Sequence, residues 1–225
     1  MLDERRYEIL CDCMKEHMTV DDYGLSTICN VYYDTNNYEL IRTSIEKPPY
    51  KEKMRIRSYG VPKETDKTFV EIKKKYDGIV YKRRIQLSVK EARNYLEHGI
   101  KPPKDSQILK EIDYFINFYH PVKRMYIAYD RVAMFGIEDD SIRITFDRNI
   151  RSREYDLDLV RGDFGELLLD QSQVLMEIKV AGAYPLWMVR ILSELKIYPV
   201  SFSKYGAIYQ QKMKEERNQK ICLPA

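Results

Sequence analysis

At 225 residues the chain has room for one large domain, and its composition, 44% hydrophobic and 32% charged, supplies a core plus more charge than the roughly one quarter of an average soluble domain. A net charge of only +3 excludes a uniformly basic surface of the kind that coats nucleic acid, so an anion site has to come from clustering of basic side chains. No apolar run approaches the roughly 20 residues that cross a bilayer, and the opening segment MLDERRYEIL lacks the apolar core of a signal peptide, so a soluble, cytoplasmic protein is expected.

In chain order, residues 3–18 carry Tyr7, Leu10 and Met14 at helical spacing and predict a short amphipathic helix. Strands are predicted over residues 27–34, 51–58, 68–75, 79–87, 123–135, 141–149 and 174–180, and the 19 tyrosines suit their pleated surfaces. Tyr76-Asp77-Gly78 reads as a hairpin turn. Three further helices are predicted. Residues 88–98 open on a capping box, Ser88 with Glu91, and stop at Gly99. Residues 105–119 follow a Pro-Pro break with Ile108, Leu109, Ile112, Phe115 and Ile116 on one stripe, and residues 185–195 begin on a proline. The charge run 212–220 reads as a solvated helix end or a frayed terminus. Cys11, Cys13, Cys29 and Cys222 have no disulfide-framework spacing, and Cys13 with His17 supplies too few ligands for a metal centre.

Side chains two apart on a strand share a face, and sorting the predicted strands this way places charge together. Lys51, Lys53, Arg55 and Arg57 oppose Glu52, Met54, Ile56 and Ser58; Glu71, Lys73 and Lys75 oppose Val70, Ile72 and Lys74; Lys82 and Arg84 alternate with Tyr81, Arg83 and Ile85. Farther on, Tyr129 and Arg131 share a face, as do Arg143, Thr145 and Asp147, and Glu177 with Lys179. For any single strand, a half-solvated sheet explains this pattern. Across six strands it does not, because like charges opposite one another on neighbouring strands destabilise a sheet. The arrangement that reconciles them is an α+β fold whose antiparallel β-barrel turns its charged faces inward and packs helices on its apolar outside. Burying Lys53, Arg55, Arg57, Lys73, Lys82, Arg84, Arg131, Arg143 and Lys179 against Glu71, Asp147 and Glu177 then calls for a polyanion in the lumen. A triphosphate suits it, with a divalent Mg²⁺ or Mn²⁺ ion held by Glu177 and phosphate oxygens.

The segments KEKMRIRSY (51–59), FVEIKKK (69–75), YKRR (81–84), YDR (129–131), IRITFDR (142–148), MEIKV (176–180) and SFSKYG (201–206) resemble the VTC domain, the polyphosphate polymerase domain of the triphosphate tunnel metalloenzyme superfamily. The resemblance spans nearly the whole chain as one domain, 1–225, and implies an eight-stranded tunnel in which ATP, with a divalent metal, passes its terminal phosphoryl group to polyphosphate. It implies phosphate-binding roles for Arg55, Arg57, Lys73, Lys82, Arg131 and Arg143. Lys53, Arg84, Tyr129, Lys179, Ser203 and Lys204 would contact substrate, and Glu177 would hold the metal. The family's first strand, with its Glu-Leu-Lys-Tyr-like motif, is not found, so the expectation is an upstream segment that carries it, a barrel open on one side, or a strand supplied by another chain. Three activities stay open: polymerase, triphosphatase of the same fold, and a non-catalytic polyphosphate-binding module. Nucleic acid is not an expected partner, whereas a membrane partner is compatible with the sequence.

Overall fold

The computed structural model describes residues 1–103 and 105–221. The strands are β1 Leu2–Asp3, β2 Met18–Asp34, β3 Tyr50–Tyr59, β4 Lys67–Tyr76, β5 Ile79–Ser88, β6 Val122–Gly136, β7 Arg143–Arg153, β8 Glu166–Leu167 and β9 Gln173–Lys179. The helices are α1 Glu4–Met14, α2 Glu39–Glu46, α3 Val89–His98, α4 Gln107–Tyr119, α5 Leu186–Glu194 and α6 Lys204–Ile221. The strands form one sheet of order β1-β9-β7-β6-β2-β3-β4-β5, with β8 on β7, and the β1–β9, β2–β3, β3–β4, β4–β5 and β7–β9 ladders are antiparallel. The α+β class is therefore as expected. Among the described residues the ladder is a path with two ends, so hydrogen bonding does not close the expected barrel. A two-residue strand, β1, precedes α1 and pairs Leu2 with Val174, where the sequence had suggested no strand at all.

The chain divides into two compact units. Unit 2 comprises residues 28–128, 152–166 and 203–225 and holds β3, β4, β5, α2, α3, α4 and α6. Its core joins Met54, Ile56, Val70, Ile72, Ile85 and Leu87 from the strands to Ala92, Tyr95, Leu109, Ile112 and Phe115 from α3 and α4. The helices thus cover the apolar strand face and leave the charged face on the other side. Local signals set the element ends. Asp77 and Gly78 take positive φ of 43° and 83°, as a two-residue hairpin turn requires. Ser88 and Glu91 close the capping box of α3, and Gly99, at φ 69°, ends it. In α5, Pro185 is the cap rather than the first helical residue.

Unit 1 comprises residues 1–27, 129–151 and 167–202. Its core packs Leu10 and Met14 of α1 and Met188 of α5 on Ile142, Ile144 and Phe146, with Met176 and Ile178 alongside, the apolar lists that strand periodicity predicts. His17 lies beyond the end of α1, with its ring stacked on Trp187 at 4.3 Å, so it does not share a helix face with Cys13. Cys11 and Cys13 are free thiols, Cys29 is buried, and Cys222 lies outside the described residues. No helix among the described residues is long and apolar enough to cross a membrane.

Ile112 is 0% exposed between α4 and the sheet. Ile112→Ala is expected to lower the unfolding free energy by about 2–5 kcal/mol in urea titrations. Ser88→Ala, which removes the α3 cap, is expected to cost about 1 kcal/mol in the same measurement.

Candidate functional site

Hairpin register builds the site of unit 2. Lys53 stands opposite Lys73, and Lys73 opposite Lys82; Arg55 stands opposite Glu71, and Glu71 opposite Arg84. The β2–β3 ladder adds Tyr32 beside Arg55 and Asn30 beside Arg57. Directly opposed residues share a face with Cβ atoms roughly 4.5–5.5 Å apart, so one face carries a row of three lysines next to the row Tyr32, Arg55, Glu71, Arg84. Glu71 is the carboxylate on this face of β3–β5.

Its side chain is 2% exposed and holds the cluster together. Oε2 accepts from Arg55 Nε at 2.9 Å and meets Arg55 Nη2 at 2.8 Å, with Arg57 Nε at 3.9 Å. Lys82 Nζ stands 3.1 Å from Oε1. Burial alone would raise this carboxyl, but Arg55, Arg57 and Lys82 override it and hold Glu71 at about 2. Arg57 is itself buried and donates to Asn30 Oδ1 at 2.9 Å, while Asn30 Nδ2 donates to the Ile127 carbonyl at 3.0 Å.

Arg55 Nη1 also donates to the Tyr32 hydroxyl at 2.9 Å. Against the effect of burial, Arg55, Arg57 and Lys53 bring the Tyr32 phenol down to about 8. Tyr32 stacks on Tyr205 at 4.8 Å, and Tyr205 donates to Asp34 Oδ2 at 3.0 Å. Asp34 in turn accepts from the Leu40 and Ile41 amides that open α2, so one buried carboxylate ties α2 and α6 to the cationic face.

Lys53 Nζ donates to Ser203 Oγ at 3.1 Å, and Ser203 Oγ accepts from the Gly206 amide in the first turn of α6, which Lys204 opens. Burial, followed by Lys73, Lys51 and Arg55, lowers the Lys53 ammonium despite an opposing pull from Tyr32. Arg84 is exposed and lies over the Phe69 ring at 4.7 Å. Lys73 is exposed, with no carboxylate in ion-pair range among the described residues.

Unit 1 gathers the remaining predicted residues. Arg131 forms a two-pronged pair with Asp147, Nε to Oδ1 at 2.6 Å and Nη2 to Oδ2 at 2.8 Å, above the buried Tyr129 ring at 5.1 Å. Arg143 pairs in register with Lys179, and its guanidinium lies over Phe135 at 4.9 Å. Glu177 faces Thr145 across the ladder and contacts Lys179 at 3.3 Å. No group of three metal-ligating side chains occurs among the described residues, Asp147 is engaged by Arg131, and Glu177 is half exposed beside a lysine. This donor set does not fit a resident divalent ion.

Tyr32, Asn30, Asp34 and Tyr205 were not singled out from the sequence. For the three on β2 the signal was available, since they fall on one face of the predicted strand 27–34 by the same period of two.

The depressed Glu71 carboxyl carries a pH dependence. Its stabilising contribution is complete above about pH 4.5 and is lost as pH falls toward about 2. Melting temperatures measured across that window should fall more steeply for the parent than for Glu71→Gln. Ultraviolet titration should show one phenolate forming near pH 8, absent in Tyr32→Phe.

Solved structures sharing the fold include a candidate adenylate cyclase of Bacillus halodurans, at TM-score 0.54 and 13% identity over 90% of each chain. Another is HpAC1 of Hippeastrum, an adenylyl cyclase candidate described as having a dominant triphosphatase activity, at TM-score 0.55 and 15% identity over 94% of this chain and 92% of that one. Such low identities show the fold alone. No curated protein matches the chain in sequence. The VTC domain model, however, matches residues 1–212, the span that contains every side chain of both cationic clusters, and the chain belongs to the VTC domain family.

Proposed function

We propose that this protein binds the phosphate chain of a nucleoside triphosphate or condensed phosphate on the cationic face of β3–β5 and transfers a terminal phosphoryl group to polyphosphate. The observation that carries this reading is the register pairing of Lys53, Lys73 and Lys82 beside Arg55 and Arg57, with Glu71 as their carboxylate. Side-by-side cations raise the free energy of the sheet until an anion joins them. A phosphate chain does so with several charges at once, and guanidinium groups match its oxygens in pairs.

Phosphoryl transfer asks the protein for positioning and for stabilisation of charge on the equatorial oxygens, and no protein nucleophile is required. Arg55, Arg57, Lys73 and Lys82 take that role, with Lys53, Arg84, Ser203 and Lys204 contacting the chain. In unit 1 the same reading gives phosphate contacts to Tyr129, Arg131, Arg143 and Lys179. Glu177 is assigned to a divalent ion that travels with the phosphate as part of the substrate.

Hydrolysis is the second reading. Lys73, Lys82 and Arg84 are exposed, so water has access to this face as an acceptor. Incubation with ATP and Mn²⁺ separates the readings: a long acid-labile polymer supports transfer, orthophosphate alone supports hydrolysis, and tight binding without turnover leaves a binding module.

Lys73→Met removes a solvent-facing charge, so stability should stay within about 0.5 kcal/mol of the parent. Calorimetric affinity for tripolyphosphate should fall about tenfold, the loss expected for one charge-assisted contact. Unchanged affinity would remove the lysine row from the site.

A further inference from the structure

Glu71 places a negative charge where the proposed ligand would put its own. Arg55 and Lys82 both engage its carboxylate, at 2.8–2.9 Å and 3.1 Å, inside a site read as built for phosphate. A carboxylate needed only for packing would not have to sit among those cations. One that does makes every incoming anion an exchange partner.

We propose that Glu71 is a resident stand-in for phosphate that sets how much negative charge a ligand must bring, so that chains of three or more phosphates bind while orthophosphate and pyrophosphate do not. This rests on the phosphate-binding reading of the same face.

In the ligand-free protein Glu71 orders the Arg55 guanidinium and the Lys82 ammonium, which would otherwise repel. At neutral pH it is ionised, so a short phosphate arriving at Arg55 and Lys82 exchanges one anion for another. It also stands beside a buried carboxylate of its own sign. A longer chain reaches further. Lys73 lies two residues along β4 from Glu71, about 6–7 Å away on the same face, and Lys53 stands opposite it. Lys73 has no carboxylate partner among the described residues, and Lys53 rests on the neutral Ser203 hydroxyl. Contacts to that row are gained without displacing any carboxylate, which offsets the exchange at Glu71.

The test titrates orthophosphate, pyrophosphate and tripolyphosphate into the full chain and into Glu71→Gln by calorimetry, with melting curves taken without ligand. Removing the stand-in should lower the melting temperature of the free protein yet raise pyrophosphate affinity about tenfold. Tripolyphosphate should gain less, so the preference for the longer chain shrinks. A merely structural ion pair predicts the opposite, with stability and both affinities falling together and the preference unchanged; that result overturns the proposal. Should the parent bind no tripolyphosphate, the phosphate-binding reading fails first and this one with it. If Glu71→Gln does not fold, Glu71→Asp keeps the charge on a shorter side chain and should shift the same preference in the same direction by a smaller factor. No shift there also overturns the proposal.

Discussion

Cations that share a sheet face at the spacing of hydrogen-bonded strands cannot be left to themselves, and in unit 2 register fixes Lys53, Lys73 and Lys82 in one row. The neighbouring row answers with Glu71, nearly inaccessible to water, and Arg55, Arg57 and Lys82 arranged about it. Burying an ion this deeply is tolerated only when charge and hydrogen bonds compensate it, so the carboxylate and its cations stand or fall together. Among the described residues the Lys53–Lys73 part of the face has no comparable counterion, and that imbalance is what the proposed phosphate site rests on.

The charged face exists because the other face is spoken for. Met54, Ile56, Val70, Ile72, Ile85 and Leu87 turn toward α3 and α4, and the period of two then leaves the alternate residues pointing away. Slipping one strand by a single residue would bury arginines under the helices and expose the core, so hydrophobic burial fixes the cation register. Unit 1 repeats the logic, with Ile142, Ile144 and Phe146 inward and Arg143, Thr145 and Asp147 on the opposite face.

A chain of polar contacts steadies the face from beside the sheet. Asp34 at the end of β2 accepts from the first amides of α2 and from the Tyr205 hydroxyl of α6. Tyr205 stacks on Tyr32, and the Tyr32 hydroxyl accepts from Arg55. Ser203 at the start of α6 receives Lys53. Through these contacts, elements remote in sequence fix the geometry of two cations, Lys53 and Arg55.

The strands β3, β4, β5 and β9 were legible to within a residue or so because alternation is a local property of the chain, and so was α3, whose capping box and terminal glycine are adjacent in sequence. The first half of β2 was not: residues 18–26 carry Asp21, Asp22 and Gly24 and are mostly exposed, so partner strands rather than local preference hold them extended. Helix α2 gave no start signal because its N-cap, Tyr38 at φ 59°, makes no side-chain cap bond, and its first amides are met instead by Asp34 and Thr35 farther back in the chain. Periodicity in the sequence by itself determined which charges share a face. Only the tertiary structure decided which cations Glu71 holds, that Tyr32 and Tyr205 brace them, and that Glu177 sits half exposed beside Lys179, because those outcomes depend on register and distance between segments far apart in the chain.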